Sequence, residues 1–446
     1  MSSVLLASNQ NSALINTLDQ SPSKSNPQVY SLDKLYPFSS VQYVTHNPTN
    51  SSIVLGQSNT FDVLKYGIAS QFVLEFEFNI SNTAIGGEAD ANAAQCHNPA
   101  LQLIDNIELV SSSRVIQRLT RADLLAIASD GDYEYKAGFN EGIQEGGDAG
   151  SAKAVANNTT FKRAYINMAF PLLANARTQL NTTFLEPQRI VVNWSNEKVY
   201  AGGSTLAYGS PEVKNCLLHG RYINYNNTDD SNLLEQNYGD GTLSQLSYEY
   251  FDEVPSEAVT LPTTDDTVFG GAGKEVEIKD TGVVTDMYIM LVAESGDQAL
   301  SGGSAVDHEE LTELGKPQPI EEIEFVASGQ TIFSGKAKRL ALFGRTDPMS
   351  GRHHQSGSSS QSNYTFTNGL SNVYRIQFGQ ETHKNFPSGG ISMRELNRPI
   401  IRIKRGAYAG YNATQNLKAR LHVVLRKHSV VTTESSNGRL VSSINN

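Results

Sequence analysis

The sequence predicts an all-β chain built from two similar β-sandwiches in tandem, and three observations predict it. First, a segment occurs twice: residues 104–116 read IDNIELVSSSRVI and residues 320–332 read IEEIEFVASGQTI. Ile104, Ile107, Leu109, Val110 and Ile116 align without a gap on Ile320, Ile323, Phe325, Val326 and Ile332, at a constant offset of 216 (320 − 104), and Glu108 falls on Glu324. Second, the hydrophobic period of the clearest segments is 2, the mark of strands with one buried face. Third, Asn, Ser, Thr and Gly are abundant, as expected where many short strands are joined by turns. At 446 residues, 39 % hydrophobic and 18 % charged, the chain is long enough to bury two cores.

Residues 1–40 read as an N-terminal arm. Leu14, Ile15 and Leu18 offer one helical turn of apolar surface, and SPSKSNPQ at 21–28 ends it. Such an arm either reaches a neighbouring subunit or lipid surface, or is a mobile terminus.

The first unit spans 41–226. In FVLEFEFNI, Phe72, Leu74, Phe76, Phe78 and Ile80 share one face, and Glu75, Glu77 and Asn79 share the other. A loop at 81–100 leads to the repeated segment, a strand pair. TRADLLAIAS then predicts a short helix, with Thr120 as N-cap and Asp123 at N3 completing a capping box. A long loop at 129–160 precedes strands near 164–172, 184–194 and 213–224.

A polar linker with a Gly-Asp-Gly turn covers 227–243, and the second unit, 244–430, repeats the order. VVTDMYIMLVA (283–293) is the counterpart of the Phe72–Ile80 strand. A loop at 294–318, the repeated segment, a short helical stretch at 335–343 and a second loop at 344–365 follow. Strands are predicted near 373–378, 400–405 and 417–426, and residues 431–446 form a C-terminal tail. In the last strand Leu417, Ala419, Leu421, Val423 and Leu425 face one way, with Lys418, Arg420, His422 and Arg426 opposite. About eight strands per unit, with long insertions at equivalent places, predict two tandem eight-stranded jelly-roll β-sandwiches with short helices and long loops. Half of this chain suits one such domain.

Three segments carry a family resemblance: NTFDVLKYGIASQFVLEFEFNI (59–80), LQLIDNIELV with its echo PIEEIEFVASGQTI, and NRPIIRIKR (397–405). With the strand order and paired long loops, they resemble the double jelly-roll major capsid proteins of tailless icosahedral viruses in the adenovirus–tectivirus lineage. The resemblance covers most of 41–430. It implies a homotrimer whose six jelly rolls give a pseudo-hexagonal capsomer, with loops projecting outward. Its partners would be copies of itself, then penton, minor capsid or spike proteins, with an internal membrane possible beneath the shell. Its location would be the virion, assembled in the host cell cytoplasm.

The residues themselves point away from catalysis. No GxSxG, Walker A, HExxH or EF-hand pattern occurs, and the Gly-rich stretches at 269–273 and 301–304 lack the strand-then-helix setting of a phosphate loop. His353 with His354, and His308 with Glu309 and Glu310, lack ligands at metal spacing. Asp229, Asp230, Asp265 and Asp266 read as solvated acidic loops rather than a Ca²⁺ site. No cofactor, metal or enzymatic activity is expected. Cys96 and Cys216 form no metal pattern; a disulfide is possible, and free thiols are favoured. The N-terminus does not read as a secretory signal, and no apolar run of about 18 residues occurs.

A formal charge of −11 argues against wrapping nucleic acid. Within it lies a local reversal between Arg394 and Lys427. Arg402, Lys404, Lys418 and Arg420 are its candidate inner-face or neighbour contacts, against the reading that they are the polar face of ordinary strands. The alternative function is a carbohydrate-binding or adhesin-like double β-sandwich, for which Tyr133, Tyr135, Tyr222 and Tyr225 are candidate aromatics.

Overall fold

The computed structural model describes residues 39–84, 100, 103–130, 161–168, 170, 180–182, 185–195, 199–201, 207–225, 245–261, 275–293, 320–337, 373–379, 389–405, 417–434 and 439–442. The arm through residue 38, the linker, the long loops, His308, His353, His354, Asp229, Asp230, Asp265, Asp266, Tyr133, Tyr135 and Cys96 lie outside them.

The first half runs β1 (Ser39–His46), β2 (Ser58–Asp62), β3 (Ile68–Ala84), β4 (Ile104–Ser111), β5 (Arg114–Thr120), α1 (Arg121–Asp130), β6 (Lys162–Met168), β7 (Leu180–Asn181), β8 (Gln188–Trp194), β9 (Val199–Ala201) and β10 (Ala207–Tyr225). The second runs β11 (Gln245–Leu261), β12 (Glu275–Glu277), β13 (Val283–Ala293), β14 (Ile320–Ala327), β15 (Gln330–Lys336), β16 (Tyr374–Gln377), β17 (Ile391–Ser392), β18 (Ile400–Arg405), β19 (Leu417–Glu434) and β20 (Arg439–Ser442). All pairings are antiparallel.

Each half is a sandwich of two sheets. In the first, β1-β10-β3-β6 faces β2-β8-β4-β5; in the second, β11-β19-β13-β16 faces β12-β18-β14-β15. Replacing each strand of the first half by its counterpart reproduces the second, so the duplication extends from 13 residues to the whole topology. Eight principal strands make each jelly roll. The short strands differ in part: β7 and β17 edge β3 and β13 alike, whereas β9 pairs with the start of β10 and β20 with the end of β19.

Local backbone conformation repeats as well. Ser112 and Ser328, 216 positions apart, both open the two-residue hairpin turns at left-handed φ, 52° and 53°. Their amides donate to Pro187 and Asn397, which lead into β8 and β18. The following Gly329 (φ 75°) meets the second left-handed position without a side chain. Both hairpins carry a bulge four residues after the serine, at Ile116 and Ile332. A further bulge falls at Ser70 in β3 and Thr285 in β13, and the hydroxyl there donates to the carbonyl of Arg221 or Arg426.

The cores follow the alternation. Phe72, Leu74, Phe76 and Phe78 of β3 are buried against Ile104, Ile107 and Leu109 of β4. Phe76 packs edge-on to Trp194 at 5.2 Å, whose indole N–H donates to Asn59 Oδ1 at 2.6 Å. Met287, Ile289 and Leu291 of β13 oppose Ile320, Ile323 and Phe325 in the second core. Truncating Leu74 or Ile323 to Ala would cost about 2–5 kcal/mol.

The capping box is present in both directions. The Thr120 amide donates to Asp123 Oδ2 at 2.8 Å, and the Asp123 amide to Thr120 Oγ1 at 3.3 Å. The predicted helix at 335–343 begins later, because β15 continues through Lys336; residues 338–343 lie outside the described residues. β19 extends to Glu434, and β20 adds a strand within the segment read as a tail. β11, 17 residues long, has no counterpart in the sequence reading; its ladder to β19 is bulged at Pro255 and Ser256. Among the described residues no helix is long and apolar enough to cross a membrane.

Candidate assembly surfaces

The two sandwiches meet along a seam: β5 and α1 of the first lie against β11, β19 and β20 of the second. Strands alternate sides, so the face of β13 and β19 that points away from the second core is available to the first half. Tyr288 and Met290 of β13 and Val424 of β19 on that face, with Phe251 of β11 and Val373 just before β16, are buried and join the core cluster of the first half. This explains why β13 is apolar on both faces while β3 alternates Phe and Glu: β13 is covered twice.

A polar node is set into the seam. Thr120 Oγ1 donates to Glu253 Oε2 at 2.6 Å, and His422 Nδ1 contacts Glu253 Oε1 at 2.6 Å. Burial alone would push the Glu253 carboxyl up, but the His422 and Thr120 hydrogen bonds and the charges of His422 and Arg121 outweigh it and hold it below its usual value. Asp123 beside it behaves oppositely. Burial raises its carboxyl well above the ordinary range, against the Thr120 hydrogen bonds, and the carboxylates of Glu253 and Asp252 raise it further. His422 is therefore a seam residue, rather than part of a solvated face.

Two other ionic groups brace the second sandwich. Arg375 Nε donates to the fully buried Asp286 at 2.7 Å. Lys427 bridges Asp252 and Asp280, the latter at 2.6 Å, and these carboxylates raise its ammonium despite the opposing cost of burial.

The four candidate basic residues fall on different sheets. Arg402 and Lys404 are on β18, where Arg402 pairs with Glu275 of β12 (2.8 Å) and Glu324 of β14 (3.2 Å), and Lys404 lies 3.9 Å from Glu321. Lys418 and Arg420 are on β19, paired in register with Thr260 and Ala258 of β11. The basic stretch of sequence holds a single carboxylate, Glu395, and β18 receives its acidic partners from the neighbouring strands. Glu324, the repeated glutamate, is one of them, and its counterpart Glu108 pairs with Arg118 at 2.6 Å.

Tyr222 is fully buried, its hydroxyl bonded to the Leu64 amide and to His46, so it offers no sugar-stacking face. Burial pushes the Cys216 thiol up to about 12. Among the described residues no group of three or more His, Cys, Asp or Glu is placed to hold a metal.

No family model and no curated protein matches the sequence. Solved structures do match. PBCV-1 VP54, as fitted into a reconstruction of the virophage Sputnik, superposes with a TM-score of 0.60 at 12 % identity over 93 % of this chain and 98 % of that one. The Faustovirus major capsid protein gives 0.55 at 10 %, over 97 % and 98 %. The mavirus major capsid protein gives 0.51 at 9 %, over 90 % of both chains. The chain has the double jelly-roll fold of these viral proteins. At identities near one in ten, what is shared is the double jelly roll itself, with both sandwiches included, and no side-chain role carries across.

Proposed function

We propose that the chain is a major capsid protein that trimerises into pseudo-hexagonal capsomers and tiles an icosahedral shell. The observation that carries this reading is the duplicated strand order within one continuous chain. Three such chains present six similar lobes, so a three-fold object fits a six-fold packing position. Modest contacts between trimers then suffice, because every subunit makes several of them. The role is structural, with no catalytic step assigned.

In this reading the partners are further copies of the chain, then penton, minor capsid or spike proteins, and the chain acts in the virion after assembly in the host cytoplasm. Arg402, Lys404, Lys418 and Arg420 remain candidates for a neighbour or inner-face contact, as two pairs on separate sheets. Light scattering of the purified chain should give three times 48.5 kDa, and negative-stain images should show pseudo-hexagonal particles. A single-chain mass at assembly concentrations, with no particles, would overturn the reading.

A further inference from the structure

We infer that β20 is a strap that ties the two sandwiches of one chain together across their seam. The inference concerns the single chain and stands or falls apart from the trimer proposed above.

β20 is appended to a jelly roll that is already complete. Each sandwich closes with a long strand, β10 or β19. Arg221 and Arg426 mark equivalent places in them, beside the bulges at Ser70 and Thr285. Counted from those arginines, Tyr225 at the end of β10 corresponds to Val430, yet β19 runs on to Glu434. The added residues, 431–434, are the ones that β20 pairs with: Val431 with Ser442, Thr432 with Val441, Thr433 with Leu440 and Glu434 with Arg439. The sequence supports the same addition. Residues 430–433 read VVTT, a β-branched run suited to a strand, and 435–438 read SSNG, with an Asn-Gly turn signal.

The place of β20 in the sheet puts it at the seam. Val431 and Thr432 pair with Leu246 and Gln245 of β11 on one side and with β20 on the other. β20 therefore takes the edge of β19 that β13 occupies at 419–427. Both run antiparallel to β19, so β13 and β20 lie end to end along it. Beyond the start of β13 the sheet continues as β11-β19-β20. β5 of the first sandwich lies against β11 and β20, the two strands that flank β19 there. β20 is thus hydrogen-bonded into the second sandwich while it touches the first.

Four paired residues make a ladder too short to stand by itself. β20 is held in place by β19 and β5 together, and β5 is held against the second sandwich by β11 and β20. This mutual dependence makes β20, β5 and α1 one cooperative opening unit, separate from the two cores. Removing β20 takes no strand from either four-stranded path of the second sandwich, so both jelly rolls remain whole without it.

The test follows amide hydrogen exchange by mass spectrometry in the full-length chain and in a chain ending at Glu434, in urea well below the unfolding transition. The shortened chain should exchange about tenfold faster or more in α1 and β5, with β3, β8 and β18 keeping their rates. Leu440→Pro combined with Val441→Pro keeps the chain length and should act alike. Successive amides of a strand point to opposite sides, so one of these two belongs to the ladder. Should neither variant fold, the unsubstituted chain decides: as urea rises, the amides of β20, β5 and α1 should converge on one opening free energy, lower than that of β3. Parent rates in α1 and β5 of the variants, or β20 opening alone in the parent, would overturn the strap. Equal acceleration in β3 and α1 would overturn it too, by making β20 a general stabiliser of the chain.

Discussion

Thr120 Oγ1 donates a 2.6 Å hydrogen bond to Glu253, joining the end of β5 in one sandwich to β11 in the other. Thr120 also caps α1 through Asp123. One side chain therefore fixes a helix terminus and the seam on which that helix lies. Thr120→Ala should cost about 2–4 kcal/mol, combining a cap with a hydrogen bond to a charged group. Thr120→Ser should cost little, since it keeps both bonds. Urea unfolding monitored by tryptophan fluorescence would measure the difference; equal losses in the two variants would assign the effect to packing of the methyl group.

The node also makes the seam pH-dependent in two directions. Glu253 has a lowered carboxyl, so its contribution is present above its unfolded pKa and is lost as pH falls through the folded value. Asp123 has a raised carboxyl, so its contribution is present below its unfolded pKa and is lost as pH rises through the folded value. Asp123→Asn keeps an acceptor for the Thr120 amide and removes the second dependence. Its Tm relative to the parent should rise between pH 4 and pH 8, and a difference that stays constant with pH would refute this assignment.

Asp286→Ala should be far more damaging than a surface charge removal. It removes the carboxylate that Arg375, 5 % exposed, pairs with in the interior, and breaking a buried pair in this way costs about 3–5 kcal/mol. Arg402→Gln, by contrast, loses two part-exposed ion pairs and should cost at most about 1 kcal/mol. Comparable losses in urea unfolding would show that the Asp286 pair is hydrated.

The two hairpin serines are expected to differ. Ser112→Gly relieves a left-handed backbone and should gain about 0.5–1 kcal/mol. Ser328→Gly relieves the same conformation but loses the hydroxyl that accepts the Asn397 amide at 3.0 Å, and should gain less or nothing. Thermal unfolding of the two single variants would separate them; a larger gain at Ser328 would contradict the role of that hydroxyl.

Much of the fold was legible because strands with one wet face announce themselves. β3 writes its alternation in Phe and Glu, and β18 and β13 match their predicted bounds. β11 was hidden because Pro255 and a bulge break its period midway. The burial of individual side chains was less legible. Ile116 and Ile332 are the same residue in the same bulge, yet one is core and the other surface. A one-dimensional repeat marks equivalent positions, whereas what covers each depends on which sandwich stands beside it. The apolar run YIMLV in β13 was the available signal of double coverage. The pairing of Arg402 depended on strands far away in sequence, and so was invisible in the basic run itself.

β1 finds its partner β10 a whole sandwich later in the chain: His46 pairs with Leu218 and Ser39 with Tyr225. During synthesis the exposed edge carrying Val41 and Tyr43 must therefore wait until residue 225 has left the ribosome. At roughly 5–20 residues per second, that wait is on the order of ten to forty seconds. The same delay recurs between β11 and β19. Such distant pairings fold slowly and leave aggregation-prone edges open meanwhile. The yield of folded chain should therefore depend on translation speed and chaperone supply more than on the final strength of its cores.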